Sequence, residues 1–181
     1  MFGAFCIFVQ KALFVYRKEK FMKNTKFMAQ TSLIAALYAV LTLCLAPIGF
    51  GIIQFRVSEV LTLLPIFTSA AIPGLAIGCL VSNYIGFIWL GSTGIIDIIF
   101  GTIATLLAAI CTYRLKNKKF LAPLPPVIFN AIIVGGYLHF IAFPNINIIL
   151  CMLSIAASEF VITYFLGIPF ANIVRKTKIF K

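Results

Sequence analysis

Residues 148–170 read IILCMLSIAASEFVITYFLGIPF and contain one charged side chain, that of Glu159. A helix needs roughly 20 mostly apolar residues to cross the hydrocarbon core of a bilayer. A helix is also one of the few structures that satisfies its own backbone hydrogen bonds in lipid. The stretch therefore predicts a transmembrane helix, and the fold class depends on how much of the chain resembles it.

The rest of the chain has the same character. Of its 181 residues, 62% are hydrophobic and 10% are charged, and the mean hydropathy is +1.12. Soluble domains are about half apolar and a quarter charged, and a soluble core of this length cannot hide so much apolar surface. We therefore expect an all-α membrane protein with six transmembrane helices, over residues 28–46, 57–70, 72–90, 95–113, 122–143 and 148–170. The second is short, so tilted, re-entrant and longer forms of it stay open.

The basic residues form three clusters, which lie at 17–26, 114–119 and 175–181. Six crossings with a cytoplasmic N-terminus place all three clusters in the cytoplasm, as the positive-inside rule requires. The loops left outside, 47–56, 91–94 and 144–147, contain one basic residue, Arg56. An odd number of helices would split the clusters, so we expect both termini in the cytoplasm. The net charge of +11 does not indicate nucleic-acid binding, because the clusters flank apolar stretches and no recognition fold accompanies them.

Residues 1–21 are harder to interpret. An apolar run precedes the basic residues, which is the reverse of the order in a signal peptide. An interfacial helix and a translation start at Met22 are the two alternatives, and we favour the second. We expect residues 22–181 to form a single six-helix domain.

Motifs of several enzyme classes are missing from the sequence. It contains no Gly-Lys dipeptide and hence no P-loop, and its one histidine excludes a paired-histidine zinc motif. It has no GxSxG motif, and its five cysteines lack zinc-site spacing. We therefore expect binding or transport rather than catalysis, with no metal and no cofactor.

A few ionisable residues lie inside the apolar spans or at their ends. A charge near the bilayer centre costs roughly 3 kcal/mol or more, so such groups face a cavity or a partner. At about 1.5 Å per residue, Glu159 lies some 18 Å into its helix, whereas Glu59 and Asp97 begin theirs near the outer surface. We expect one pocket that opens outward. Purely structural roles stay open, such as pairing of Arg56 with Glu59 three residues later.

Small residues recur on two of the predicted helices. Gly74, Gly78 and Ser82 have four-residue spacing, which favours close helix packing in lipid. On the first helix, Ser32, Ala35, Ala36 and Ala39 are either ordinary packing residues or an outward face that docks another subunit.

Three blocks resemble the queuosine-precursor transporter family. Residues 54–65 (QFRVSEVLTLLP) are the longest and most specific, and 97–105 (DIIFGTIAT) and 125–131 (PPVIFNA) are similar to further family blocks. Residues 35–38 (AALY) match as well, so that the resemblance covers about 22–178. Ser158-Glu159 replaces an expected Gly-Glu and keeps the acid.

The resemblance implies a substrate-binding S component of an energy-coupling factor (ECF) importer in a bacterial cell membrane. Such a subunit captures its solute from outside, here a 7-deazaguanine such as preQ1 or preQ0. Its implied partners are an ECF transmembrane subunit, docked on the small residues of the first helix, and two ATPase subunits. The candidate binding residues are Gln54, Arg56, Glu59, Asn83, Tyr84, Asp97, Asn130, His139 and Glu159.

Residue roles follow from the chemistry of such a base. We expect Glu159 or Glu59 to accept from the guanine-like donor edge and Asp97 to face an ammonium group. Phe55, Tyr84 or Trp89 is expected to stack on the ring. The alternatives are the same fold with another vitamin or nucleobase, a proton-coupled carrier that uses the buried acids, and a membrane enzyme.

Overall fold

The computed structural model describes residues 25–46, 54–90, 94–141, 144–177 and 179–180. The first basic cluster apart from Lys26, the uncertain segment 1–21 and most of the 47–56 loop lie outside these ranges.

All regular elements of the described residues are helical, which confirms the all-α prediction. Helix α1 is Thr25–Cys44, and a 3-10 helix follows at Val57–Ile66. Helix α2 is Ala71–Ile85 with a π-helical extension Gly86–Leu90. Helix α3 begins with the π-helical segment Asp97–Gly101 and continues as Thr102–Arg114. Helix α4 joins Leu124–Phe129, the π-helical Asn130–Val134 and Gly135–Ile141. Helix α5 joins Ile148–Phe160, the π-helical Val161–Gly167 and Ile168–Thr177.

In the described residues, helices α1 to α5 are long and apolar enough to cross a membrane. Their ends differ from the predictions by a few residues, except that α5 runs on to Thr177. Arg175 and Lys176 therefore lie in its last turn, where basic side chains complement the helix dipole.

The predicted second helix differs most from the structure. It is a 3-10 helix that ends at Ile66, whereas we expected a longer helix to residue 70. Pro65 lacks a backbone N–H and cannot donate a helical hydrogen bond, and the Thr62 hydroxyl donates to the Glu59 carbonyl at 2.5 Å. At about 2 Å per residue, a 3-10 helix of this length spans about 20 Å, more than the same residues would as an α-helix.

The contacts between helices define their relative directions. The Thr31 hydroxyl donates to the Ala70 carbonyl at 3.2 Å, and Gly78 lies against Ala35 and Tyr38 further along, so α1 and α2 run parallel. Thr42 donates to Ser58 at 2.7 Å. The segment between α1 and α2 therefore starts beside the C-terminal end of α1 and returns to the N-terminal end of α1.

Close packing of α1 on α2 depends on glycine. A Cβ added at Gly74 would lie 2.9 Å from the Thr31 carbonyl oxygen, and one at Gly78 would lie 2.8 Å from that of Ala35. These distances confirm that Gly74 and Gly78 of the predicted third helix serve helix packing.

The 3-10 helix lies at the centre of the bundle. Seven of its ten residues are buried, and Leu61 and Leu64 join Tyr38, Leu75 and Ala109 in the main apolar core. Its first turn thus places Glu59 between the long helices.

Candidate ligand-binding site

Glu59 is the most deeply buried acid that the structure describes, with 1% of its surface exposed. Its Oε1 accepts a hydrogen bond from the Tyr38 hydroxyl of α1. Its Oε2 has no hydrogen-bond partner among the described residues. One oxygen of this carboxyl group is therefore held by α1, and the other has no donor within hydrogen-bond distance, although the Asn130 side chain of α4 lies near enough to interact with the group.

Glu159 of α5 has the same arrangement and is 4% exposed. The Asn130 amide of α4 donates to its Oε1 at 3.0 Å. Within the described ranges, its Oε2 also lacks a hydrogen-bond partner. Glu159 and Glu59 are close enough to interact electrostatically, and each has one carboxyl oxygen held by a neighbouring helix.

Arg56 precedes the 3-10 helix and is buried beside these acids. Its guanidinium group interacts electrostatically with Glu59, Asp97 and Glu159. One guanidinium group against three carboxyl groups leaves this cluster with an excess of acid. Such an excess inside a membrane protein favours a ligand that brings donors or positive charge.

Asp97 is the third buried acid, and both of its carboxyl oxygens accept hydrogen bonds. Oδ2 accepts from the Gly94 N–H at 3.1 Å, and Oδ1 accepts from the Tyr137 hydroxyl of α4. The Asp97 carbonyl oxygen accepts from the Asn83 amide of α2 at 2.8 Å. Asp97 thus joins the start of α3 to both neighbouring helices.

A layer of small and polar residues supports Asn83. A Cβ at Gly101 would lie 2.9 Å from the Asn83 Nδ2 atom, so glycine is needed there for the amide to reach Asp97. The Cys79 sulfur accepts from Asn83 at 3.5 Å and from the Thr105 hydroxyl at 3.4 Å. The contacts with Gly101, Asp97 and Cys79 together therefore fix the orientation of the Asn83 amide.

Three of the polar residues lie at π-helical turns. Asp97 and Asn130 are the first residues of such segments, and Glu159 lies two residues before another. A π turn is rare and occurs often at functional sites. Because its hydrogen bonds run from i to i+5, it changes the face on which the following side chains lie.

The structure therefore brings together six of the nine predicted binding residues: Arg56, Glu59, Asn83, Asp97, Asn130 and Glu159. Gln54 is buried two residues before Arg56.

The remaining predicted residues lie elsewhere. Tyr84 is 55% exposed and Trp89 is 83% exposed, because both are on the outward side of α2, while Phe55 is half-buried. His139 bonds through Nδ1 to the Ile146 carbonyl at 2.7 Å, which ties the end of α4 to the following loop. We leave Tyr84, Trp89 and His139 out of the site.

The predicted docking residues of α1 divide between two faces. Ala35 and Ala39 are buried on the α2 side, because Gly78 lets the two helices approach there. Ser32 and Ala36 are exposed on the other side. Only these two stay available to a partner subunit.

Two tyrosines that hold acids, Tyr38 and Tyr137, were absent from the predicted set. Tyr38 follows Ala35 by three residues and so shares its buried face, and Tyr137 follows Asn130 by seven. These spacings are visible in the sequence, but nothing in it says which acid each tyrosine meets.

Apolar helices around a cluster of buried ionisable groups define a class: a polytopic membrane protein with an intramembrane polar site of the kind that marks a solute pathway. The sequence model of the QueT transporter family matches residues 28–176. The chain therefore belongs to that family, which confirms the resemblance seen in its sequence blocks.

One curated relative is the queuosine precursor transporter QueT of Lactococcus lactis subsp. cremoris (strain MG1363). It is 40% identical over 77 residues, which are 41% of this chain and 42% of that protein. The match thus spans less than half of the relative's length. No solved structure matches the chain.

Proposed function

We propose that this chain is the substrate-binding membrane subunit of an ECF-type importer and captures a queuosine precursor from outside the cell. The family and the printed name of the relative support the transport of such a solute. The S-component role follows from the resemblance of the sequence blocks.

The observation that carries the proposal is a pair of carboxyl oxygens, Oε2 of Glu59 and Oε2 of Glu159, that have no hydrogen-bond partner in the ranges that the structure describes. A buried acceptor without a donor costs about 1–3 kcal/mol, and a ligand with N–H donors removes that cost. A 7-deazaguanine offers such donors on its guanine-like edge. Arg56 and Asn130 are the proposed donors to its carbonyl oxygen and ring nitrogens.

We further propose six membrane crossings with both termini in the cytoplasm. Helices α1 and α2 run parallel, so the chain between them has to return across the membrane, and the segment that contains Val57–Ile66 makes that crossing. The Arg175 guanidinium lies over the Phe67 ring at 6.0 Å, so the end of α5 is level with the end of this crossing. The positive-inside rule then places this basic end in the cytoplasm.

This topology positions the site in the outer and middle depth of the membrane. Asp97 begins α3 at the outer end, and Glu159 lies eleven residues into α5 from the same end. At 1.5 Å per residue, Glu159 is about 16 Å deep. A solute that enters from outside therefore meets Asp97 before it meets Glu159.

Energy for transport comes from other chains in this proposal. The sequence has no P-loop, and the exposed face of α1 with Ser32 and Ala36 is the surface proposed for docking the ECF transmembrane subunit. That subunit connects to two ATPase subunits in the cytoplasm.

The test is to purify the protein in detergent and to identify the small molecule that co-purifies by mass spectrometry. Binding of 7-deazaguanines is then compared with that of guanine and a panel of vitamins. Binding of a vitamin in preference to every 7-deazaguanine would replace the substrate in this proposal.

A second experiment tests the energy source. The chain is reconstituted in vesicles with and without an ECF module, and uptake is measured with and without ATP. We expect uptake only with the module and ATP. Uptake by the chain alone, driven by a proton gradient, would show a carrier that uses its buried acids as a relay.

A further inference from the structure

Five basic side chains are exposed near the C-terminal ends of α3 and α5. They are Lys116, Lys118, Lys119, Arg175 and Lys176, and we refer to them together as the basic end. All the acidic side chains in the described ranges are buried in the candidate site. Within those ranges, the basic end therefore carries a positive charge that no exposed carboxylate offsets.

Two cations of the basic end lie over aromatic rings. The Lys116 Nζ atom is 4.5 Å from the centroid of the Tyr113 ring, and the Arg175 guanidinium is 6.0 Å from that of Phe67. Both rings pack against the main apolar core. A cation is attracted to the face of an aromatic ring, so these contacts restrict where the two charges lie while both side chains stay exposed.

The segment between α3 and α4, residues 115–123, is held against both α3 and α5. The Thr112 hydroxyl of α3 donates to the Ala122 carbonyl at 3.0 Å. The Tyr164 hydroxyl of α5 donates to the Phe120 carbonyl at 2.9 Å. Because Tyr164 lies in the C-terminal half of α5, the three lysines and the basic last turn of α5 lie at one end of the bundle.

Large apolar side chains are exposed beside these cations. Phe120 is 71% exposed, and the Lys119 Nζ atom lies 5.9 Å from the centroid of its ring. Ile173 is 60% exposed, two residues before Arg175. Basic and large apolar side chains on one surface are typical of segments that lie in the membrane interface and attract anionic lipids.

Charge alone would suit either an acidic protein surface or an anionic lipid. The exposed Phe120 and Ile173 favour the lipid, because a phospholipid offers an anionic headgroup and an apolar chain side by side. Depth favours it as well. The apolar span Asp97–Arg114 has 18 residues and is about 27 Å long, close to the hydrocarbon thickness of about 30 Å. The lysines that follow it therefore lie at the level of the headgroups.

We propose that the basic end binds the headgroup phosphates of anionic phospholipids in the surrounding bilayer, while Phe120 and Ile173 lie against their acyl chains. A basic side chain near an anionic membrane surface contributes about fivefold in affinity. The two basic segments are joined through Tyr164, so their cations meet the headgroups together. This surface is separate from the candidate ligand-binding site and does not depend on the identity of the solute.

The experiment measures which lipid the full chain retains in mixed micelles. Phosphatidylglycerol and phosphatidylcholine with the same acyl chains are supplied in equal amounts, and the lipids that co-elute in gel filtration are quantified by mass spectrometry. We expect phosphatidylglycerol to be retained about fivefold more or better. The preference should fall in about 1 M NaCl, where the Debye length is about 3 Å and exposed charges are screened. Equal retention of the two lipids at low salt would overturn the inference and would favour an acidic protein as the partner.

Variants locate the lipid contact on the chain. Lys116→Gln, Lys118→Gln and Lys119→Gln in one variant, and Arg175→Gln with Lys176→Gln in another, remove charge from exposed positions. Each variant should lower the preference for phosphatidylglycerol about fivefold or more. The matched control replaces the same three lysines by arginine, which keeps the charge and should keep the preference.

Two results with the variants would refute the assignment. Either both glutamine variants retain the wild-type preference, or the arginine control loses it as they do. Monodisperse elution in gel filtration shows which variants are folded, and the comparison of low and high salt on the wild-type chain decides the inference even if a variant fails to fold. Loss of the lipid preference leaves the proposed solute untouched, because solute binding is measured separately.

Discussion

Replacing Gly78 by alanine should loosen the bundle and disturb the site together. The added Cβ would lie 2.8 Å from the Ala35 carbonyl oxygen and 2.8 Å from the Tyr38 Cβ. Neither neighbour is the end of a flexible side chain, so α1 has to move away from α2. Overpacking of this kind costs about 1–3 kcal/mol.

The same displacement reaches the binding site through Tyr38. Its hydroxyl holds Glu59 in position, so a shift of α1 alters the placement of that carboxyl group. We therefore expect weaker ligand binding as well as lower stability in Gly78→Ala. Both are measured on the detergent-purified protein, by thermal unfolding and by calorimetry.

Gly136→Ala is the matched control, since Gly136 is also a helical glycine. A Cβ there would lie 3.6 Å from the flexible Met152 Cε, an ordinary contact. The entropy term alone then favours alanine by about 0.5–1 kcal/mol in a helix. If Gly78→Ala proves as stable as Gly136→Ala and binds ligand as the wild type does, the reasoning from close α1–α2 packing is refuted.

Two further predictions concern α1. Tyr38→Phe removes the donor to Glu59 and leaves a second buried oxygen unsatisfied, so the ligand-free protein should lose about 1–3 kcal/mol of stability; an unchanged unfolding midpoint would contradict this. Ser32→Leu together with Ala36→Leu enlarges the exposed face and should leave ligand affinity intact while it abolishes ATP-dependent uptake with an ECF module. Normal uptake by this double variant would place the docking surface elsewhere.

The membrane class and most helices could be predicted from local sequence. Hydropathy over 20 residues is a property of the residues themselves, and it located five helices that are confirmed. The second predicted helix was the exception, because Pro65 and the Thr62 hydroxyl favour a 3-10 conformation that hydropathy does not report.

The sequence predicted most of the polar residues of the candidate site, but it did not predict which of them contact one another. The buried acids were identified because ionisable residues are rare in apolar spans, where an ionisable group is costly without a purpose. Tyr38 and Tyr137 were missed, because an apolar helix tolerates tyrosine on many faces. Trp89 and Tyr84 were expected to stack on a ligand, but the rotation of α2 turns both outward.

The sequence by itself determined that the chain resides in a membrane, which residues are charged within it, and which family it resembles. Those properties depend on composition and on residues near each other in the chain. Only the tertiary structure decided that both carboxyl oxygens of Asp97 accept hydrogen bonds, while Glu59 and Glu159 each have one oxygen without a partner among the described residues. The reason is geometric. The hydrogen-bond partners of these oxygens lie on other helices, far away in the sequence. Which oxygens find a partner therefore depends on how the helices pack at their glycines and on how the π turns rotate them.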